Sequence, residues 1–124
     1  MLIFIFLSMI FLHIIDDFVL QPICLSNLKQ KKFWEANAPN KLYKNDYKCA
    51  LVIHAISWAF MIMLPMAIYH RLNIGIIFII LFVINIVFHG YMDNRKANKG
   101  DINLISDQLF HLWQIVCTFL ILLK

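Results

Sequence analysis

The stretch Ile74-Gly-Ile-Ile-Phe-Ile-Ile-Leu-Phe-Val-Ile-Asn85-Ile-Val-Phe-His89-Gly-Tyr91-Met-Asp93 decides the fold class. From Ile74 to Tyr91 it is almost wholly apolar, and it is close to the roughly 20 residues a helix needs to cross about 30 Å of hydrocarbon. Asn85, His89 and Asp93 follow one another at four-residue intervals, so a helix stacks them on one face. Apolar length and a polar column together predict a spanning helix that turns its polar side toward other protein.

Three more segments of this kind lie outward from it: Met1 to about Gln21, about Tyr47 to Tyr69, and about Ile102 to Leu123. The chain of 124 residues is 62% hydrophobic and 15% charged, with a mean hydropathy of +0.76. A soluble domain carries about a quarter charged residues, and one small globule cannot bury this much apolar surface, so lipid must cover it. The expected architecture is all-α: one integral membrane domain over residues 1–124, a bundle of four transmembrane helices at about 1–21, 47–69, 74–91 and 102–123. The first segment lacks a basic start and a small-residue cleavage site and runs on into Asp16 and Asp17, which argues against a signal peptide.

Local signals mark the ends. Pro22 should end the first helix. Asn45 and Asp46 are the expected caps of the second, Asn73 of the third and Asp101 of the fourth, with Ser106 a competing cap. Lys29, Lys31, Lys32, Lys41, Lys44 and Lys48 fall in or beside the first connection, and Arg95, Lys96 and Lys99 in the third. Only Arg71 and Lys124 lie on the other side of a four-span chain, so the positive-inside rule puts both basic loops in the cytoplasm and both termini outside. The formal net charge of +4 is then a topology signal, and no soluble basic face exists for nucleic acid. A multi-pass place in the cytoplasmic membrane is the expected location. Trp34, Tyr43, Tyr47 and Tyr91 fit an inner aromatic belt and Tyr69 an outer one.

The loop at 22–46 has two readings: a short amphipathic helix using Leu25, Leu28, Lys29, Lys32 and Phe33 on the inner surface, or a solvated basic loop. Asn37-Ala-Pro-Asn40 marks a turn. Cys24, Cys49 and Cys117 show no C-x-x-C spacing, so neither a disulfide framework nor a thiolate metal site is expected.

The informative residues are those that do not belong in oil. His13, Asp16, Asp17, His54, Asn85, His89, Asp93, Asp107, Gln108 and His111 all fall within or at the edges of the apolar segments. Ionisable groups there cost at least a few kcal/mol each and normally face the bundle or a cavity. His13/Asp17, His89/Asp93 and Asp107/His111 are i,i+4 pairs, with Gln21 and Asn85 one turn beyond two of them, and Asp16 facing away from Asp17. Helices one and three carry their pairs near the C-terminal end, two and four near the N-terminal end. All of them therefore share one layer near the cytoplasmic face, with His70 alone at the opposite boundary. Histidine nitrogen with carboxylate oxygen is the usual ligand set for zinc and other divalent first-row metals, and two ligands at i,i+4 on one helix can reach one ion. The rival readings are interhelical packing and a proton or ion relay.

At these residues the sequence resembles an uncharacterised phage and bacterial membrane family, domain of unknown function 3307. His13-Ile-Ile-Asp-Asp17-Phe-Val-Leu-Gln21 resembles its H-x-x-x-D-F-x-x-Q opening, and His54 its second-helix histidine. His89-Gly-Tyr-Met-Asp93 and Asp107-Gln-Leu-Phe-His111 resemble its H-x-x-x-D and D-Q-x-x-H elements. Gly90 stands where the family usually has a bulky apolar residue, and the loop after Asp93 is short. More loosely, the chain is similar to membrane-bound metal-dependent hydrolases of the YdjM type, a likeness that implies hydrolysis.

The resulting expectation is an intramembrane divalent-metal site, zinc first and manganese or iron as alternatives, bound or oriented by His13, Asp17, His54, His89, Asp93, Asp107 and His111. Gln21, Asn85 and Gln108 are expected to position water or substrate, a lipid-linked or interfacial ester or phosphoester. Membrane lipid is the expected partner, with anionic head groups at the basic loops and a homo-oligomer as an option. The alternatives are a small ion or proton transporter using the same residues, or a phage-type membrane effector with a purely structural polar core.

Overall fold

The computed structural model describes residues 1–21 and 23–124; the helix-ending role expected of Pro22 lies outside them. All regular structure among the described residues is helical. Helix α1 (Leu2–Ile14) runs without a break into a π-helical segment, Ile15–Leu20. Two short helices follow, α2 (Ile23–Leu28) and α3 (Lys31–Asn37), then a 3-10 turn at Lys41–Tyr43. The long α4 (Asp46–Tyr69) precedes α5 (Ile76–Asn94), which continues into a second π-helical segment, Arg95–Lys99, and α6 (Leu104–Leu122) closes the chain. Four helices are long and apolar enough to cross a membrane.

Helix α4 is the hub of the bundle. Its Trp58, Ala59, Ile62 and Met66 are fully buried, packed with Met9 of α1, Leu81 of α5 and Ile115 of α6. A methyl group placed on Gly90 would meet the Ala55 Cβ at 3.5 Å, an ordinary packing distance, so α4 and α5 lie against each other here. Outward, Phe4, Phe11, Phe18, Ile79, Val87 and Trp113 are each well exposed. An apolar mantle of that extent is the surface expected of a lipid-facing bundle. Pro65 sits inside α4, which continues past it to Tyr69.

Several ends differ from expectation. Gly75, not Asn73, precedes α5, and the cap of α6 is Asn103, whose Oδ1 accepts from Ser106 N at 2.9 Å. Ser106 therefore donates backbone to a cap and is not one, and Asn103 satisfies one of the orphan amides of the first turn. Asp101 is engaged instead by Arg95, whose Nε and Nη2 donate to its Oδ2 and hold its carboxyl below the usual carboxylate range. The Arg95–Lys99 segment closes through Gly100 N to Arg95 O at 2.8 Å, with Gly100 at φ +67°. That left-handed conformation favours glycine.

The two basic connections meet at one end of the bundle. Lys31 N donates to Asn98 Oδ1 at 2.7 Å, and Asn98 Nδ2 donates to Lys29 O at 3.0 Å. At the other end His70 Nε2 lies 2.9 Å from Leu122 O, tying the end of α4 to the end of α6. The expected amphipathic helix of the first connection is broken: α2 and α3 are separated by Lys29 and Gln30, and Lys29 turns inward to 5% exposure. With both connections on one face, an impermeant amine reagent should label Lys32 and Lys99 from the same side of sealed vesicles. Labelling from opposite sides would rule out this helix arrangement in the membrane.

Candidate metal centre

Eight ionisable side chains from the four long helices meet inside the bundle at its basic-loop end. His13, Asp16 and Asp17 come from α1 and its π extension, and His54 from α4. His89 and Asp93 come from α5, and Asp107 and His111 from α6. His89 and His111 are completely inaccessible and His13 and His54 nearly so. The i,i+4 pairs read from the sequence are real neighbours: His13–Asp17 at 3.6 Å, His89–Asp93 at 3.8 Å and His111–Asp107 at 3.3 Å.

Asp16 is the first departure. It points into the cluster beside Asp17, accepting from Ser57 Oγ at 2.6 Å and facing His54 Nδ1 at 3.6 Å. The cause is the local winding. In a π-helix the hydrogen bonds run i→i+5, more residues complete each turn, and the angular step between neighbours shrinks, so two consecutive aspartates fit on one inward face.

His13 is held from both ring nitrogens. Trp58 Nε1 donates to its Nδ1 at 2.8 Å; an indole N–H only donates, so the histidine proton is on Nε2, which donates to Gln108 Oε1 at 3.1 Å. Gln108 Nε2 in turn donates to Asp17 Oδ2 at 3.2 Å and Asp107 Oδ2 at 3.3 Å. The same Trp58 stacks on His89, with ring centroids 4.2 Å apart and planes 16° from parallel. One tryptophan thus contacts two imidazoles, and no sequence spacing pairs it with either.

Asn85 lies apart from the cluster in a closed network. Its Nδ2 donates to Thr118 Oγ1 at 3.0 Å, and its Oδ1 accepts from Gln114 Nε2 at 2.7 Å. These bonds join α5 to α6 deeper in the bundle. Gln21 and Gln108, by contrast, line a cavity of about 310 Å³ that opens beside the cluster, with Asp17 and Asp93 also in its wall.

Two lysines complete the electrostatics. Lys29 Nζ donates to Asp93 Oδ2, and Lys96 Nζ donates to Asp107 Oδ2 at 2.6 Å. Both were legible only as loop charges. What remains unmatched is informative: Asp17 Oδ1, His54 Nε2, His89 Nε2, Asp107 Oδ1, His111 Nε2 and Asp16 Oδ2 are buried without a hydrogen-bond partner among the described residues. Facing pairs stand 3.3–3.8 Å apart, as for His54 Nε2 with Asp17 Oδ1 at 3.4 Å and with Asp93 Oδ2 at 3.5 Å. That is long for hydrogen bonds. It is close to the edge of a tetrahedron whose corners lie about 2.0–2.1 Å from a central zinc, about 3.3–3.4 Å. Two groups, Asp17/His54/His89 and His89/Asp93/His111, have the geometry to hold a metal ion.

The family described as protein of unknown function, domain of unknown function 3307, matches residues 5–124. The chain belongs to this family. Its H-x-x-x-D-F-x-x-Q, H-x-x-x-D and D-Q-x-x-H elements, first read from the sequence, are the segments that build the cluster. No curated protein and no solved structure matches the chain, and the matches do not extend to YdjM-type hydrolases.

Proposed function

We propose that the chain is a membrane-embedded, divalent-metal-dependent hydrolase of a phosphoester or ester, with its ion at the cytoplasmic end of the bundle and both termini outside. The observation that carries this reading is the convergence of buried ligand-type atoms without partners. An unmatched buried polar atom costs about 1–3 kcal/mol, more when charged, and a cation among them removes that cost for several at once. Charge points the same way. Four carboxylates, Asp16, Asp17, Asp93 and Asp107, face two ammonium groups, Lys29 and Lys96. The remaining two negative charges match one divalent ion.

Asp17, His54 and His89 are the proposed ligands, with Asp93 beside them. Carboxylate–imidazole pairs that orient metal-bound histidines are common, and Asp16 stands in that relation to His54 Nδ1. His89 and His111 face each other through Nδ1 at 3.3 Å, so one donates and the other accepts. The accepting neutral ring carries its proton on Nε2. A metal-bound His89 Nε2 carries no proton, so in this arrangement His89 Nδ1 donates and His111 Nδ1 accepts, with the His111 Nε2 proton on the side of Asp107 Oδ1. His111, Asp107 and His13 are then positioning residues, and Asn85 belongs to packing. Three protein ligands and an open position are the usual catalytic zinc arrangement, and zinc fits best, with manganese or iron as alternatives.

A divalent ion bound there supplies Lewis-acid polarisation. Gln108, held by His13, and Gln21 orient a water at the cavity wall. Hydrolysis joins the water oxygen to phosphorus or carbonyl carbon, breaks the ester bond to the leaving oxygen, and passes the water's proton to that oxygen, with no redox change. Protein purified at neutral pH without chelator should hold about one divalent ion per chain, matching the charge imbalance, and should release product from a phosphoester. A preparation with no zinc, manganese, iron or nickel overturns the reading. Metal without turnover overturns hydrolysis and leaves a structural or transport site.

A further inference from the structure

The cavity beside the cluster has two chemistries in its rim. Its floor reaches the cluster at Asp17, Asp93 and Gln108, and Lys29 and Lys96 enter from two different connections. Each ammonium carries three N–H donors and, among the described residues, gives one to an aspartate. The rest are available to a ligand beside them. Gln21 and Ser26 add neutral polar groups to the lining. Phe18 and Leu104 also line the cavity, 57% and 53% exposed, and their chain neighbours Val19 and Ile105, outside the lining, are exposed apolar residues as well. A site for a wholly soluble anion has no use for an opening flanked by lipid-facing side chains. At about 310 Å³ the cavity is at the small end of ligand sites, enough for a head group and not for its chains.

We infer that this cavity binds the phosphate head group of an amphiphile, with Lys29 and Lys96 on the phosphate oxygens and the acyl or prenyl chains leaving between Phe18 and Leu104 into the membrane. The inference rests on the proposed metal site for its chemistry but not for its binding. Two lysines act as point charges on phosphate without demanding a fixed fork, which suits a group that must also approach the cluster. Neutral ester lipids offer these ammonium groups acceptor oxygens but no negative charge, so phosphate-bearing lipids are the preferred substrate class. The same ammonium groups hold Asp93 and Asp107 while no ligand is present.

The test is binding to detergent-purified full-length protein, measured by calorimetry on chelator-treated and zinc-loaded samples. The probes are dihexanoyl phosphatidic acid, dihexanoylglycerol and inorganic phosphate. Phosphatidic acid should bind at least about tenfold more tightly than either of the others, since each lacks one half of the recognition. Lys96→Gln should weaken it by about tenfold. Ser26→Phe, which fills the cavity and keeps both ion pairs, should abolish binding, so the site stays testable if the lysine variant does not fold. Equal binding of dihexanoylglycerol overturns the phosphate assignment, and equal binding of inorganic phosphate overturns the amphiphile. Binding that persists in Ser26→Phe overturns the location. Phosphatidic acid binding to a protein that takes up no zinc would sink the metal reading and leave this one standing.

Discussion

His89→Ala should strip the metal while leaving the helices inserted and packed. Its Nε2 is buried without a hydrogen-bond partner among the described residues and is a ligand in the proposed arrangement, and loss of a ligand or of a residue that orients one typically lowers metal affinity or activity by on the order of 10-fold to 100-fold. Asn85→Leu, one turn away on the same helix face, is the matched control. It breaks the bonds to Thr118 and Gln114, which costs about 1 kcal/mol of helix association, and should leave the metal content unchanged. Acid separates the readings again. Histidine binds metal only when deprotonated, so wild-type occupancy should fall on acidification and recover on neutralisation. Elemental analysis after desalting at stepped pH checks both points. Equal metal in wild type and His89→Ala would mean that the cluster does not use its histidines as ligands.

How far the sequence could be read depended on periodicity. Intervals of four residues placed His13 with Asp17, His89 with Asp93 and Asp107 with His111 because an ordinary helix repeats every 3.6 residues. Alternating chain direction then put all four helices' polar residues in one layer. The same logic failed where the helix changed its winding: Asp16 and Asp17, about 100° apart at 3.6 residues per turn, both turn inward in a π-helical segment, where the step between neighbours is smaller. Nothing in Ile15–Leu20 announces that winding. Lys29 and Lys96 were invisible for another reason. Their part in the site is set by tertiary contacts across 64 and 11 residues of chain, and a basic loop reads the same whether its lysines face water or a carboxylate. Trp58 looked like one more apolar residue of a spanning helix, since only its indole N–H, aimed at His13, distinguishes it. The misassigned cap of α6 shows a limit of local signals, because Asp101, Asn103 and Ser106 all suit a helix start and only the finished fold chose Asn103.

Asp93→Leu should be the most destabilising single change in the cluster, and a second substitution should undo much of the damage. Asp93 and Lys29 form a pair with each side chain only 7% exposed. Removing one member of a buried pair leaves the other charge uncompensated and costs about 3–5 kcal/mol, whereas replacing both by apolar residues of similar volume is often neutral or stabilising. Asp93→Leu should therefore lose most of its yield of folded, monodisperse protein, and Lys29→Met with Asp93→Leu should regain it. The double variant separates two roles that the single variant confounds. If Asp93 serves only to hold Lys29 and the α2–α3 connection against the bundle, the rescued protein keeps its metal. If Asp93 stands beside the ion as its distances of 3.5 Å to His54 and 3.8 Å to His89 imply, the rescued fold binds metal more weakly by on the order of tenfold or more. Thermal unfolding in detergent reads the first effect and elemental analysis the second. A double variant no more stable than Asp93→Leu would show that the ion pair is not what Asp93 contributes to the fold.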